Sequence, residues 1–324
     1  RLSSERTYDP DAYEMYLKGI YHTGYLTPES FDQAEEYFIS AMAIDSTIIE
    51  VYSGLATLWA SRRQMGYSTP QFARDTIATF FMLADQIGPE NAALYRAKAM
   101  ECTWGTYEWG KAEVYWLKAL ELNPHNALTR IFYAHYLMIM NRWDEAWEQA
   151  RYAQDIEPES PWVVSFTGIM YAFSGKVLTA AKYVEKLKKI QPNHPLINEV
   201  YLQKEITFKN YDAAIGYLKK ILIRTQLEDI NQFIDMTYAE NDFNTTIDKV
   251  SEYLIQKRED QYVLPRLIHA NYKLTGNDEK QMEWLEVIYK EKAPSFPYFA
   301  VRGVWALQDN PRYVAMMKES GLWE

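Results

Sequence analysis

The chain has 324 residues and carries 44 Asp and Glu against 34 Lys and Arg, a net charge of −10, which argues against nucleic acid as a direct partner. Apolar residues make up 48% of it, enough to bury a core, so global disorder is excluded. One cysteine, Cys102, rules out an internal disulfide, and no apolar run approaches the roughly 18 residues of a membrane span, so membrane insertion is not expected.

Taken in chain order, the apolar spacing predicts a ladder of helix pairs. Residues 1–11 read as a loose lead-in, and the first pair as 12–22 with 29–44. Thr27 before Pro28 is an N-cap followed by proline at the first helical position. The second pair is 49–61 with 71–87. Its connection, 62–70, again ends Thr-Pro and is long for a helix–helix turn, which suits either a functional loop or a tolerated insertion.

Four regular pairs follow, starting near Ala92, Ala127, Pro161 and Pro195. In the segment 127–158 the first half is apolar nearly all round. The second half is one-sided: Trp143, Ala146, Trp147, Ala150, Ala153 and Ile156 share a face, and Glu145, Glu148, Arg151 and Asp155 face away. An inner layer of buried first helices and an outer layer of amphipathic second helices follows. Ala134, Gly168, Ala146 and Ala180 let helix axes approach, and Gly175 is placed as a helix C-terminal glycine. Trp109, Trp143 and Tyr211 open three second helices and suit an aromatic wedge. From Glu228 the pattern decays, through a poor pair (229–240 with 245–256) and a better one (262–274 with 278–292). Segments 296–307 and 311–319 read as a terminal capping pair.

Within the regular part the chain repeats at a step of 34 residues. Ala112, Ala146, Ala180 and Ala214 fall on it, as do Ala119, Ala153, Leu187 and Ile221, and Pro124, Pro158 and Pro192. These positions resemble the tetratricopeptide repeats. The resemblance implies an all-α fold: a right-handed superhelical α-solenoid of antiparallel helix pairs, about eight pairs plus a C-terminal capping pair. One solenoid would run over 12–324, with regular repeats at 92–226, degenerate repeats at 227–294 and a cap at 295–324. The stretches 12–19, 27–30 and 309–322 also resemble the two ends of a bacterial group. In that group the repeats follow a winged-helix, TolB-like or adenylate-cyclase-type domain. The chain opens at Arg1 rather than Met and reads as a fragment; its compartment stays open, with the cytoplasm favoured.

No catalytic constellation stands out, so no enzyme, cofactor or metal is expected. The five histidines, His22, His125, His135, His194 and His269, lack metal-ligand spacing. Ser174-Gly175-Lys176 lacks the rest of a phosphate-binding loop. Lys182, Lys186, Lys188 and Lys189 enclose Glu185, as on a solvated helix face.

Binding remains. In tetratricopeptide proteins the first helices line a concave groove, and the facing positions here would be Arg96, Met100, Ile131, His135, Met138, Trp162, Ser165, Ile169 and Phe173. The expected partner is a protein or peptide segment held on this apolar and aromatic surface, and burial of these residues between helices is the alternative. A second class of reading is a receptor for a metabolite or saccharide, with the 62–70 loop closing over the aromatic face. A third is a homo-oligomer formed through the repeats. The basic and asparagine clamp by which some of these proteins hold chaperone C-termini is not matched, since Ser53, Arg96 and Ser165 stand scattered among apolar positions.

Overall fold

The computed structural model describes residues 8–88 and 91–324. Among them the α-helices run in pairs. The first two are α1 (Pro10–Thr23) with α2 (Pro28–Ile44), and α3 (Ile49–Met65) with α4 (Pro70–Ile87). Next come α5 (Ala92–Glu101) with α6 (Trp109–Leu122), α7 (Ala127–Ile139) with α8 (Trp143–Ile156), and α9 (Pro161–Phe173) with α10 (Val177–Ile190). Then follow α11 (Pro195–Thr207) with α12 (Tyr211–Leu222), α13 (Ile230–Glu240) with α14 (Phe243–Lys257), and α15 (Pro265–Thr275) with α16 (Asp278–Lys290), before a last helix, α17 (Pro311–Glu319). No strand occurs among the described residues. The chain is a right-handed α-solenoid of antiparallel pairs. Most of the lead-in expected at 1–11 lies outside the described residues; Asp9, within them, caps α1 by accepting from Asp11 and Ala12 backbone N–H groups.

The two layers follow from the helices' chemistry. In α7 nearly every residue is buried, whereas α8 buries only Ala146, Ala150 and Ala153. Thr27 and Ser30 form a reciprocal capping box at the start of α2. Gly168 brings α9 close to α10, where an added Cβ would stand 3.0 Å from the Tyr183 Cβ. Two further close approaches, not anticipated from the sequence, hold the first pairs together. Gly19 on α1 and Gly54 on α3 both face the Phe38 ring of α2, and a Cβ at either would come within 2.7 Å of it.

The turns inside the regular pairs keep the 34-residue step in their backbone. Tyr107, Asn141, Gly175 and Lys209 stand 34 residues apart, and all four have left-handed φ angles, between 57° and 76°. Only one is glycine, the residue that adopts this region without steric cost. α5 also differs from its counterparts: it runs on into a single π-helical turn, Cys102–Thr106.

The terminal unit departs from a plain helix pair. The segment 296–307 is not an α-helix but two short 3-10 turns, Phe296–Ala300 and Ala306–Asp309, ahead of α17. Pro297 and Gly303 within it disfavour a continuous helix. The segment also folds back: residues 293–323 share one apolar core with the inner side of α5, α7 and α9.

Candidate functional site: the inner face of the central pairs

The residues expected to line a groove divide by burial. Arg96, Met100, Ile131, His135, Met138 and Ser165 are buried, while Trp162, Ile169 and Phe173 are half-buried. What lies over the α7 and α9 part of this face is the chain's own segment 293–305. The Phe173 ring stacks on Tyr298 and meets Trp305 edge-on, both with centroids 5.8 Å away. His135 is bracketed by the Tyr298 hydroxyl at 3.1 Å from Nδ1 and the Phe166 carbonyl at 2.9 Å from Nε2. Because a carbonyl only accepts, Nε2 carries the proton and Nδ1 accepts from Tyr298. Burial pushes His135 down to about 4, against the Phe166 carbonyl, which favours the protonated form.

The backbone of this segment is gripped as well. Asn141 donates from Nδ2 to the Ala300 carbonyl at 3.1 Å and accepts at Oδ1 from the Arg302 N–H at 3.1 Å. Tyr107 donates its hydroxyl to the Ala293 carbonyl at 2.6 Å, and Trp109 donates Nε1 to the Ser320 carbonyl at 2.7 Å. Tyr107 and Asn141 are two members of the left-handed series, so consecutive turns present side chains to consecutive stretches of one C-terminal segment. Gln308 braces the segment from within, through Val301 and Gly303. None of Asn141, Tyr107 or Tyr298 was singled out from the sequence. The run of aromatics and proline at 296–299 was the available signal.

Trp162 works at another junction. It packs on Phe132 and Phe166 and also joins the apolar cluster of the first pair, beside Gly24. Gln191 donates to the Gly24 carbonyl at 3.2 Å, so the turn after α1 rests on the fifth pair. Arg96, on α5, is buried with its Nε lacking an acceptor. Ser53 is buried and donates to the Glu50 carbonyl of its own helix.

The connection expected at 62–70 is only residues 66–69, because α3 runs on to Met65, and a polar region lies at the end of that helix. Arg63, only 1% exposed, holds Glu101 bidentately at 3.0 and 2.7 Å. The space for that carboxylate exists because residue 105 is glycine: a Cβ there would sit 2.0 Å from Glu101 Oε1. Across the seam, Arg258 pairs with Glu291, and burial pushes the Glu291 carboxyl up despite that arginine. A further ion cluster, buried at Arg224 and half-buried at Glu199 and Arg266, has Glu199 accepting from Arg224 at 2.7 Å and from Arg266 at 3.0 Å. Burial raises Glu199, but Arg266 and Arg224 outweigh it and hold the carboxyl down at about 2. Among the described residues no helix is long and apolar enough to cross a membrane.

No protein-family model matches the chain, and no curated protein matches it. Several solved structures do. The Cut9 and Hcn1 hetero-tetramer of the APC/C aligns at 15% identity over 90% of this chain and 52% of that one, with a TM-score of 0.54; this chain therefore spans about half its length. Yeast Tom70 aligns at 14% identity over 99% of this chain and 66% of that one, with a TM-score of 0.43. YrrB, described as a TPR protein with an unusual peptide-binding site, aligns at 21% identity over 52% of this chain and 82% of that one, with a TM-score of 0.33. At these identities the likeness to the Cut9 assembly bears on fold alone, and with the helix pairing above it shows a tetratricopeptide-like α-solenoid.

Proposed function

We propose that the chain is a non-enzymatic protein-interaction scaffold and the interaction region of a larger bacterial regulator. It is read as one solenoid over 12–324, with regular repeats at 92–226, degenerate repeats at 227–294 and a terminal unit at 295–324. The observation that carries this is the grip on residues 293–305. Side-chain bonds to backbone atoms hold a segment in this turned backbone whatever its sequence, and the aromatic rings around it select for rings. A partner segment of the same chemistry, proline-bearing and aromatic, enters by exchange with the resident one. If the segment comes from a second copy of this chain, the product is a swapped homo-oligomer.

The test uses a labelled peptide with the sequence of residues 293–308. It is titrated against the full chain, a Tyr298→Ala chain whose resident segment is loosened, and a Trp162→Ala/Phe173→Ala chain. Saturable binding that strengthens in the first variant and disappears in the second supports groove exchange. Absence of binding to all three, each verified as folded by its helical spectrum, sinks it.

A second reading, a small-molecule sensor closed by the 62–70 loop, is favoured by one observation. The Arg63 Nε, Arg74 Nη1, Tyr262 hydroxyl and Glu291 Oε2 atoms are buried without partners.

A further inference from the structure

The left-handed turns at Tyr107, Asn141, Gly175 and Lys209 mark one edge of four successive helix pairs. The C-terminal segment occupies the first half of that edge and runs along it in one direction. Ala293 is bonded at Tyr107, Ala300 and Arg302 are bonded at Asn141, and Trp305 meets Phe173, two residues before Gly175. There the segment leaves the edge. It turns through Ala306–Asp309 into α17, beyond whose end the Ser320 carbonyl accepts from Trp109, back at the first turn. Among the described residues no hydrogen bond or ring contact joins it to Gly175 or to Lys209.

The repeat positions change character where the segment departs. Trp109, Met140 and Trp143, at the first two turns, pack against the core that the C-terminal segment completes. The corresponding positions of the next two turns hold Val177, which is 68% exposed, and Phe208, which is 73% exposed, and Leu178 beside Val177 is 84% exposed. Apolar side chains grouped on one edge in this way mark an interaction surface.

The charge around them is positive and open. Lys273 lies over the Trp305 ring at 4.9 Å and Lys176 over the Trp147 ring at 5.9 Å. Neither they nor Lys209, next to Phe208, form an ion pair among the described residues. The carboxylates of the last turn are already engaged, Glu205 with Lys204 and Asn210, and Asp212 with Tyr238. Asp144 belongs to the preceding turn, so the basic stretch begins at Lys176. Residues 176–220 hold nine lysines against four carboxylates, within a chain of net charge −10. What complements this half of the edge is therefore acidic as well as apolar.

We propose that the partner segment of the groove is longer than the resident one, and that its continuation past the Trp305 position is acidic and apolar, covering Val177, Leu178 and Phe208 among Lys176, Lys209 and Lys273. The inference rests on the groove-exchange reading and names the partner's chemistry beyond it. The resident segment turns back at Ala306 and leaves this surface bare, so a partner that continues straight gains contacts the resident lacks. Held already at Tyr107 and Asn141, it meets the second half of the edge at high effective concentration.

The experiment titrates three labelled peptides against the Tyr298→Ala chain by fluorescence anisotropy. One has the sequence of residues 293–305. The second continues it with Glu-Leu-Glu-Phe-Glu-Leu, and the third with Lys-Leu-Lys-Phe-Lys-Leu. The acidic extension should tighten binding at least tenfold over the short peptide, and the basic one should not tighten it. Adding Leu178→Ser and Phe208→Ser to the chain, both at exposed positions, should abolish that gain and leave the short peptide's affinity unchanged. If the acidic extension adds nothing, or both extensions tighten binding equally, the continuation is overturned and groove exchange stands. A gain that survives the two serines overturns the assignment to this edge. If none of the peptides binds, groove exchange fails and the continuation fails with it.

Discussion

Gly66 and Leu264 touch across the superhelix, nearly 200 residues apart in the chain. Gly66 has a left-handed backbone, φ 91°, and a Cβ added to it would stand 2.6 Å from Leu264 Cδ1 and Cγ. The sequence read this connection as a long loop over 62–70; it is a short turn, 66–69, docked against the start of α15. Gly66→Ala combines backbone strain with overpacking and should destabilise the chain by about 2–4 kcal/mol. Leu264→Ala in the same chain should recover the overpacking part and leave the strain. Urea unfolding of the single and double variants measures both.

The Phe38 ring lies between two glycines and makes a second packing prediction. Gly54→Ala puts a methyl within 2.7 Å of that ring and should cost about 1–3 kcal/mol. Combining it with Phe38→Leu should cost less than the sum of the two single changes, because the smaller side chain vacates the space. A double-mutant cycle by denaturant melts reads the coupling.

Asn141→Ala removes both bonds to the backbone of the C-terminal segment. The Arg302 amide then loses its acceptor and the Ala300 carbonyl its donor, and hydrogen exchange over residues 296–305 should speed up by about thirtyfold, the equivalent of two lost hydrogen bonds of ~1 kcal/mol each. Exchange in α3 and α14 should not change. An unaltered rate over 296–305 would show that the apolar contacts alone hold the segment.

Three buried histidines give the protein an acid sensitivity. Burial lowers His135 and His194 to about 4 and His269 to about 3, against 6.5 in an unfolded chain. The folded form keeps them neutral, so their contribution is complete above pH 6.5 and is lost as pH falls towards 4. Each loses about 1.4 kcal/mol per pH unit in that window, or about 4 kcal/mol for the three between pH 6 and 5. Urea midpoints at pH 7.5, 6 and 5 check the slope, and His135→Gln should reduce it by about a third.

Burial and then Glu108 and Glu101 push the Cys102 thiol up to about 12. At pH 8 it is protonated and should resist iodoacetamide in the folded chain, reacting promptly in urea. Mass spectrometry of both samples settles the point.

The 34-residue step made the helix pairs legible because it reports local packing. Ala112, Ala146 and Ala214 are completely buried where that step puts them. Tertiary placement was another matter. Phe173 and His135 read as groove-lining because nothing within one repeat covers them, and their cover, Tyr298 and Trp305, comes from the far end of the chain. The shared backbone of Tyr107, Asn141, Gly175 and Lys209 was hidden because only the glycine advertises it. The ion pairs were equally hidden: Arg63 with Glu101 and Arg258 with Glu291 fall in no motif and meet only when helix pairs stack.

The back-folding of the C-terminal segment also has a timetable. His135 and Tyr298 are 163 residues apart, so a ribosome adding ~5–20 residues per second makes the one roughly 8–30 s before the other. From the completion of α9 at Phe173 until Tyr298 is made, the aromatic face of α7 and α9 lacks the cover that the C-terminal segment supplies. The newborn chain is then in the state most open to capture by a chaperone, or by a neighbouring copy whose own C-terminus is already complete.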